Sequence, residues 1–112
     1  MAQTIRELIA QESAELKDVN AIGPHGAAEK LVMLTSLLSS LGAEIGLKRA
    51  KYYEVRLNAL NVSKSAIEAK IRSESSLEFN EWQEREEMRR ALLELIRAIK
   101  YYLRISQDEM KL

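Results

Sequence analysis

Apolar residues recur at steps of three and four along most of this chain, and clusters of strand-favouring residues are missing. Thr4 followed by Glu7 forms a capping box and predicts a first helix, with Ile5, Leu8, Ile9, Leu16 and Val19 on one face, interrupted by Glu12. That helix is expected to end near Asp18 to Asn20. The stretch AIGPHGAAEK, residues 21 to 30, reads as a turn, with Pro24 at its second position and Gly26 at its fourth. Leu31, Leu34, Leu38, Leu41 and Ile45, widened by Val32 and Leu37, then predict a second helix from about Gly26 to about Leu60, about 50 Å long. Gly42 and Gly46 fall inside it and predict either a close helix crossing or a kink. Asn61 is a candidate stop.

Beyond Asn61, Val62 is placed to staple onto Ile67, and Ser65 with Glu68 forms another capping box, opening a short helix over residues 64 to 73. Ser75 with Glu78 opens the next, which carries Phe79, Trp82, Met88, Leu92, Leu95, Ile99 and Tyr102 to about Ser106 at near-heptad steps. The expected fold is therefore all-α: a short N-terminal helix and a long antiparallel helical hairpin with a short helix at its bend, residues 1 to 112 forming one domain. Two long helices with broad apolar faces cannot cover one another, and the first helix spans about half their length. A homo-oligomer, most simply a dimer, is expected to complete the bundle.

Composition narrows the partners. Seventeen basic residues balance seventeen acidic ones, so no net field concentrates nucleic acid or an anionic membrane around the molecule. No apolar run approaches the roughly 20 residues of a transmembrane helix, and MAQTIRELIA lacks the pattern of a secretory signal. The expectation is a soluble, cytoplasmic protein. Cysteine is absent and histidine occurs once, which argues against a catalytic triad and against thiolate or histidine-based metal sites. A non-enzyme without cofactor or metal is expected. His25, in the glycine-flanked turn, reads as an exposed structural residue. No Lys-Ser or Lys-Thr closes that turn as a Walker loop would require, although its helix-start amides could take an anion.

Two patterns remain as candidate binding chemistry. All four tyrosines occur as adjacent pairs flanked by basic residues, in KYYEVR and KYYLR. Arg90, Arg97 and Arg104 recur every seven residues with Tyr101 between the last two, and Arg49, Tyr53 and Arg56 repeat the theme on the second helix. Guanidinium donors beside stacking rings suit phosphates and bases, so a small nucleotide or a single strand is a candidate ligand. The same residues also fit a plain structural role, with Tyr52 and Tyr102 in the core or an interface and the arginines pairing with Glu87 and Glu94. Glu84, Glu86 and Glu87 among Arg85, Arg89 and Arg90 read as a solvated ion-paired face. Phe79 and Trp82 are candidate packing or protein-interface anchors.

Arg56-Leu57, Ser65 with Ala66, Glu68, Ala69 and Lys70, the run Ser76-Leu77-Glu78-Phe79-Asn80-Glu81-Trp82, and Ala98-Ile99-Lys100 with Leu103 follow one another in an order that resembles small all-α helical-hairpin proteins of tailed phages and prophages. The likeness covers about the C-terminal half. It implies a non-enzymatic phage protein that acts by binding, in phage DNA metabolism or against host defence, where some such proteins oligomerise and sequester nucleotide signals.

Overall fold

In a computed structural model, residues 4–15 and 19–110 are described, and they form four helices with no strand among them: α1 (Ile5–Glu15), α2 (Val19–Val62), α3 (Ala66–Glu74) and α4 (Leu77–Met110). The all-α expectation holds. At the start of α1 the Glu7 amide donates to Thr4 Oγ1 at 3.1 Å, as the capping spacing requires. Of Asp18 to Asn20, where the first helix is expected to end, Asp18 lies outside the described residues, while Val19 and Asn20 already belong to α2.

The predicted turn is narrower than its sequence implied. Helix α2 already runs from Val19, and the only non-helical residue inside it is Gly23, at φ 75° and ψ 166°. That region is open to glycine almost alone. Pro24 then starts the long segment, where its fixed φ suits a first helical residue and its missing N–H costs nothing. The chain changes direction at one residue, not across a four-residue turn. From Pro24 onward α2 is unbroken to Val62, so Gly42 and Gly46 cause no kink. Neither marks a close crossing within the chain, since a Cβ added at either would meet nothing within 4 Å.

Cap chemistry separates α3 from α4. The Glu68 amide donates to Ser65 Oγ at 3.1 Å, and the Glu68 carboxylate returns to the Lys64 amide. Ser75, expected to open the last helix, instead closes α3: its N–H and its hydroxyl both donate to the Ile71 carbonyl, and the following Ser76 N–H bonds back to Ser73. Ser76 caps α4 by accepting from the Phe79 amide at 3.2 Å. Val62 and Ile67 were the expected staple. Both side chains are exposed.

Contacts divide the chain into two compact units, residues 1–40 with 88–112, and residues 41–87. In the first unit Ile9, Ala27, Leu34, Leu92, Leu95, Ile96 and Ile99 are buried. Glu12, the polar interruption of the α1 stripe, is buried among them at 4% exposure, where Lys30 Nζ donates to its Oε2 at 2.7 Å and also to Glu15. Burial pulls the Lys30 pKa down, but the hydrogen bonds to Glu12 and Glu15 and the charges of both together hold it above its ordinary value. Glu15 is held below the carboxylate range, chiefly by its hydrogen bond from Lys30 and then by Gln11.

In the second unit Leu41, Ile45, Tyr52 and Ala59 supply the α2 side of the core, while α3 turns its small residues Ala69 and Ser73 inward. Partners rise in number along α2 as they fall along α4. Glu44 accepts from Arg85 Nε at 2.9 Å, and Lys48 donates to Glu81 at 2.9 Å. Farther along, Tyr52 stacks on Trp82 with ring centroids 5.1 Å apart. The Lys48 bond is the main cause that lowers the Glu81 pKa.

The hydropathy of α2 qualifies the sequence reading of membranes. By length and composition Gly23–Val62 could cross one: its most apolar 18-residue window has a mean hydropathy of 1.3, and 17% of that window is buried inside the protein.

Candidate functional site

The arginine and tyrosine residues singled out in the sequence divide between the two units. On the first, α4 brings Arg97, Lys100, Tyr101 and Arg104 around one open groove of about 310 Å³. These positions are three, one and three residues apart, so successive turns of a single helix present them on one side. All four are exposed. The Arg104 guanidinium lies 5.7 Å from the Tyr101 ring centroid, a cation–π contact that orients the ring against the groove. Arg97 Nη1 donates to Glu94 at 3.3 Å, and both partners are largely in water, so the pair is weak and open to exchange for another anion. Arg90 is exposed one heptad earlier but does not line the groove. Lys100, not singled out in the sequence as a ligand, completes the cluster; its spacing from Arg97 and Arg104 was the signal for it.

On the second unit, Tyr53, Arg56, Leu57 and Leu60 line another open groove, of about 400 Å³, along α2. Arg49 is exposed a turn before it. This groove is more apolar than basic, with the two leucines and the tyrosine ring as its walls and one guanidinium at its edge. It offers a helix or an apolar side chain a better fit than it offers a phosphate.

Phe79 and Trp82 are engaged inside the second unit. Tyr52, 2% exposed, lies 5.2 Å from the Phe79 ring and stacks on Trp82, and Phe79 meets Trp82 edge-on at 6.1 Å. Both are half-buried, and the Trp82 indole N–H has no acceptor among the described residues. Arg85, read in the sequence as part of a solvated face, is half-buried and reaches across to Glu44 as well as to Glu84. No local spacing encodes a partner 41 residues away.

The turn region has a third groove, of about 280 Å³, lined by Glu12, Gly26, Glu29, Lys30 and Met33. Its two carboxylates disfavour an anion at the helix-start amides. His25 is exposed, with Nε2 3.1 Å from Glu29. Among the described residues no group of three or more His, Asp or Glu side chains is placed to hold a metal ion. No protein-family model, no curated protein and no solved structure matches this chain.

Proposed function

We propose that this chain acts by binding, as a self-associating helical interaction protein rather than an enzyme. The observation that carries this reading lies in the second unit, where Leu41, Ile45 and Tyr52 fill the core from α2 but α3 is inverted. Its small residues Ala69 and Ser73 face inward, while Leu47, Leu57, Val62, Ile67, Ile71 and Leu77 are each more than 60% exposed. Scattered exposed leucines are ordinary, but large apolar residues left out while small ones are buried mark a surface that meets another protein. In the full reading, α2 and α4 are the arms of an antiparallel hairpin, α3 sits at its bend, and a second copy completes the bundle in the cytoplasm. The resemblance of the C-terminal half to small phage proteins extends this to a phage product that occludes or sequesters a host or phage component.

The groove on α4 supports a second reading, the binding of a small nucleotide or a single strand. Arg97, Lys100 and Arg104 supply donors for phosphate, and Tyr101 supplies a face for a base.

Light scattering across concentration tests the first reading: the mass should exceed one chain, and a single-chain mass at every concentration contradicts it. For the second, affinity for cyclic nucleotides and oligonucleotides should fall with salt and with Arg97→Ala. Absent or salt-insensitive binding removes it.

A further inference from the structure

One face of α2 in the second unit has the pattern of a helix awaiting its own copy. Ala43, Gly46, Ala50, Tyr53, Leu57 and Leu60 follow one another at steps of three and four, all uncharged. Gly46 is half-buried and the other five are exposed. The residues that α2 turns to the core of its own unit, Leu41, Ile45, Tyr52 and Ala59, lie on the opposite side of the helix. In heptad terms the outer set occupies the two seam positions and the inner set the positions farthest from the seam. In the sequence the same spacing runs back through Ser39, Ser36 and Val32.

We infer that this face pairs in parallel with the same face of a second copy, a proposal that rests on the self-association reading and gives it a surface and an orientation. The flanking charges commit the occupant. Arg49 precedes the seam residue Ala50, and Glu54 follows the seam residue Tyr53. In a parallel pair a residue of the first kind meets the residue five places later on the other helix. Arg49 of each copy therefore meets Glu54 of the other, twice by symmetry. Both are exposed, and neither has an ion-pair partner among the described residues.

The remaining flanking pairs are compatible: Gly42 meets Leu47, and Arg56 meets Asn61. In an antiparallel pair flanking residues of the same kind meet, which would set Arg49 against Arg56 of the other copy, like charge against like. Small residues at 43, 46 and 50 let the two backbones approach, and a Cβ at Gly46 would meet nothing in its own chain. Beyond them, Tyr53, Leu57 and Leu60 close the seam, so that the groove they line with Arg56 is filled by the partner's equivalent side chains. Because each helix is already formed by its own unit, pairing orders little new backbone.

The absence of cysteine makes the test clean. Ala43→Cys and Ala50→Cys, each oxidised alone in the full chain at low concentration, should give covalent dimers, because parallel seam residues meet their own copies. Asn58→Cys, on the same helix but off the seam, should remain uncrosslinked. Arg49→Glu should weaken the dimer about tenfold, Glu54→Arg likewise, and the double exchange should restore it. Circular dichroism should show unchanged helix content in each.

An oligomer that cross-links no better at residue 50 than at residue 58 overturns the face while leaving self-association standing. Cross-linking of Ala50→Cys to Tyr53→Cys only in mixed samples, the contact an antiparallel seam would make, overturns the parallel orientation. A chain that is monomeric at every concentration overturns both, and one that is monomeric in solution but sediments with phosphatidylcholine–phosphatidylglycerol vesicles assigns the face to a membrane instead.

Discussion

Lys30→Met isolates the buried charge of the first unit. It removes the ammonium that donates to Glu12 and Glu15 while keeping the aliphatic stem. Glu15 is exposed enough that its loss is small, so the effect falls on Glu12, whose side chain is 5% exposed and accepts from Lys30 at 2.7 Å. Leaving a buried carboxylate without its cation costs about 3–5 kcal/mol in a fully enclosed site. Lys30 itself keeps 20% of its side-chain surface, through which water can reach the carboxylate. That access lowers the expectation to about 2–3 kcal/mol.

For a chain of this size the loss corresponds to a fall in Tm of about 8–12 °C. Thermal and urea unfolding at one fixed protein concentration measure it, the concentration held because association adds to apparent stability. Glu12→Leu combined with Lys30→Met removes both charges and should recover the loss or exceed wild type. The reasoning fails if Lys30→Met costs under about 0.5 kcal/mol, the range of a neutral surface change, or if the double variant is as unstable as the single one.

Gly23→Ala should destabilise by about 1–3 kcal/mol in urea unfolding, because φ 75° with ψ 166° has no counterpart for a residue with a Cβ; wild-type stability would mean the chain turns without that conformation. Gly42→Ala should stabilise by about 0.5–1 kcal/mol, since the added methyl enters open space in a regular helix, and a loss instead would show that something packs there. Tyr52→Ala should cost about 3–5 kcal/mol by emptying the ring cluster with Phe79 and Trp82, and should quench or shift tryptophan emission if the stacking is as described. Glu15 and Glu81 titrate below the carboxylate range when folded, so their contribution is complete above about pH 4.3 and is lost as acid carries the pH through their lowered values. Lys30, raised, contributes fully below about pH 10.4 and is lost as alkali passes its folded value. Unfolding midpoints from pH 2 to 12 should therefore fall at both ends, and the alkaline fall should shrink in Lys30→Met.

The helices were legible in the sequence because apolar spacing and capping are local. Thr4 with Glu7 and Ser65 with Glu68 both act as their spacing required. Ser75 and Ser76 were not separable on the same grounds. The Ser75–Glu78 spacing matches a capping box, but α3 also needs closing, and Ser75 does that, leaving Ser76 to open α4. The break at Gly23 was legible only as a turn, since that a single residue suffices depends on a backbone angle no composition states.

Pairings across the fold were the least legible. Glu12 looked like a flaw in an apolar stripe until Lys30 met it from 18 residues away, and Arg85 looked solvated until Glu44 did the same from farther off. For the candidate sites, the heptad spacing of arginines located the α4 groove, whose members share one helix side. The apolar character of the α2 groove was hidden, because Tyr53 and Arg56 were grouped by ring and charge while Leu57 and Leu60 beside them were assigned to no face.

Native mass spectrometry of the purified full chain tests the central claim most directly, since it reports subunit number and any retained ligand in one spectrum. Binding through self-association predicts a dimer or a higher oligomer that dissociates on dilution. A spectrum of single chains alone, across the concentrations at which the protein is folded, would contradict it.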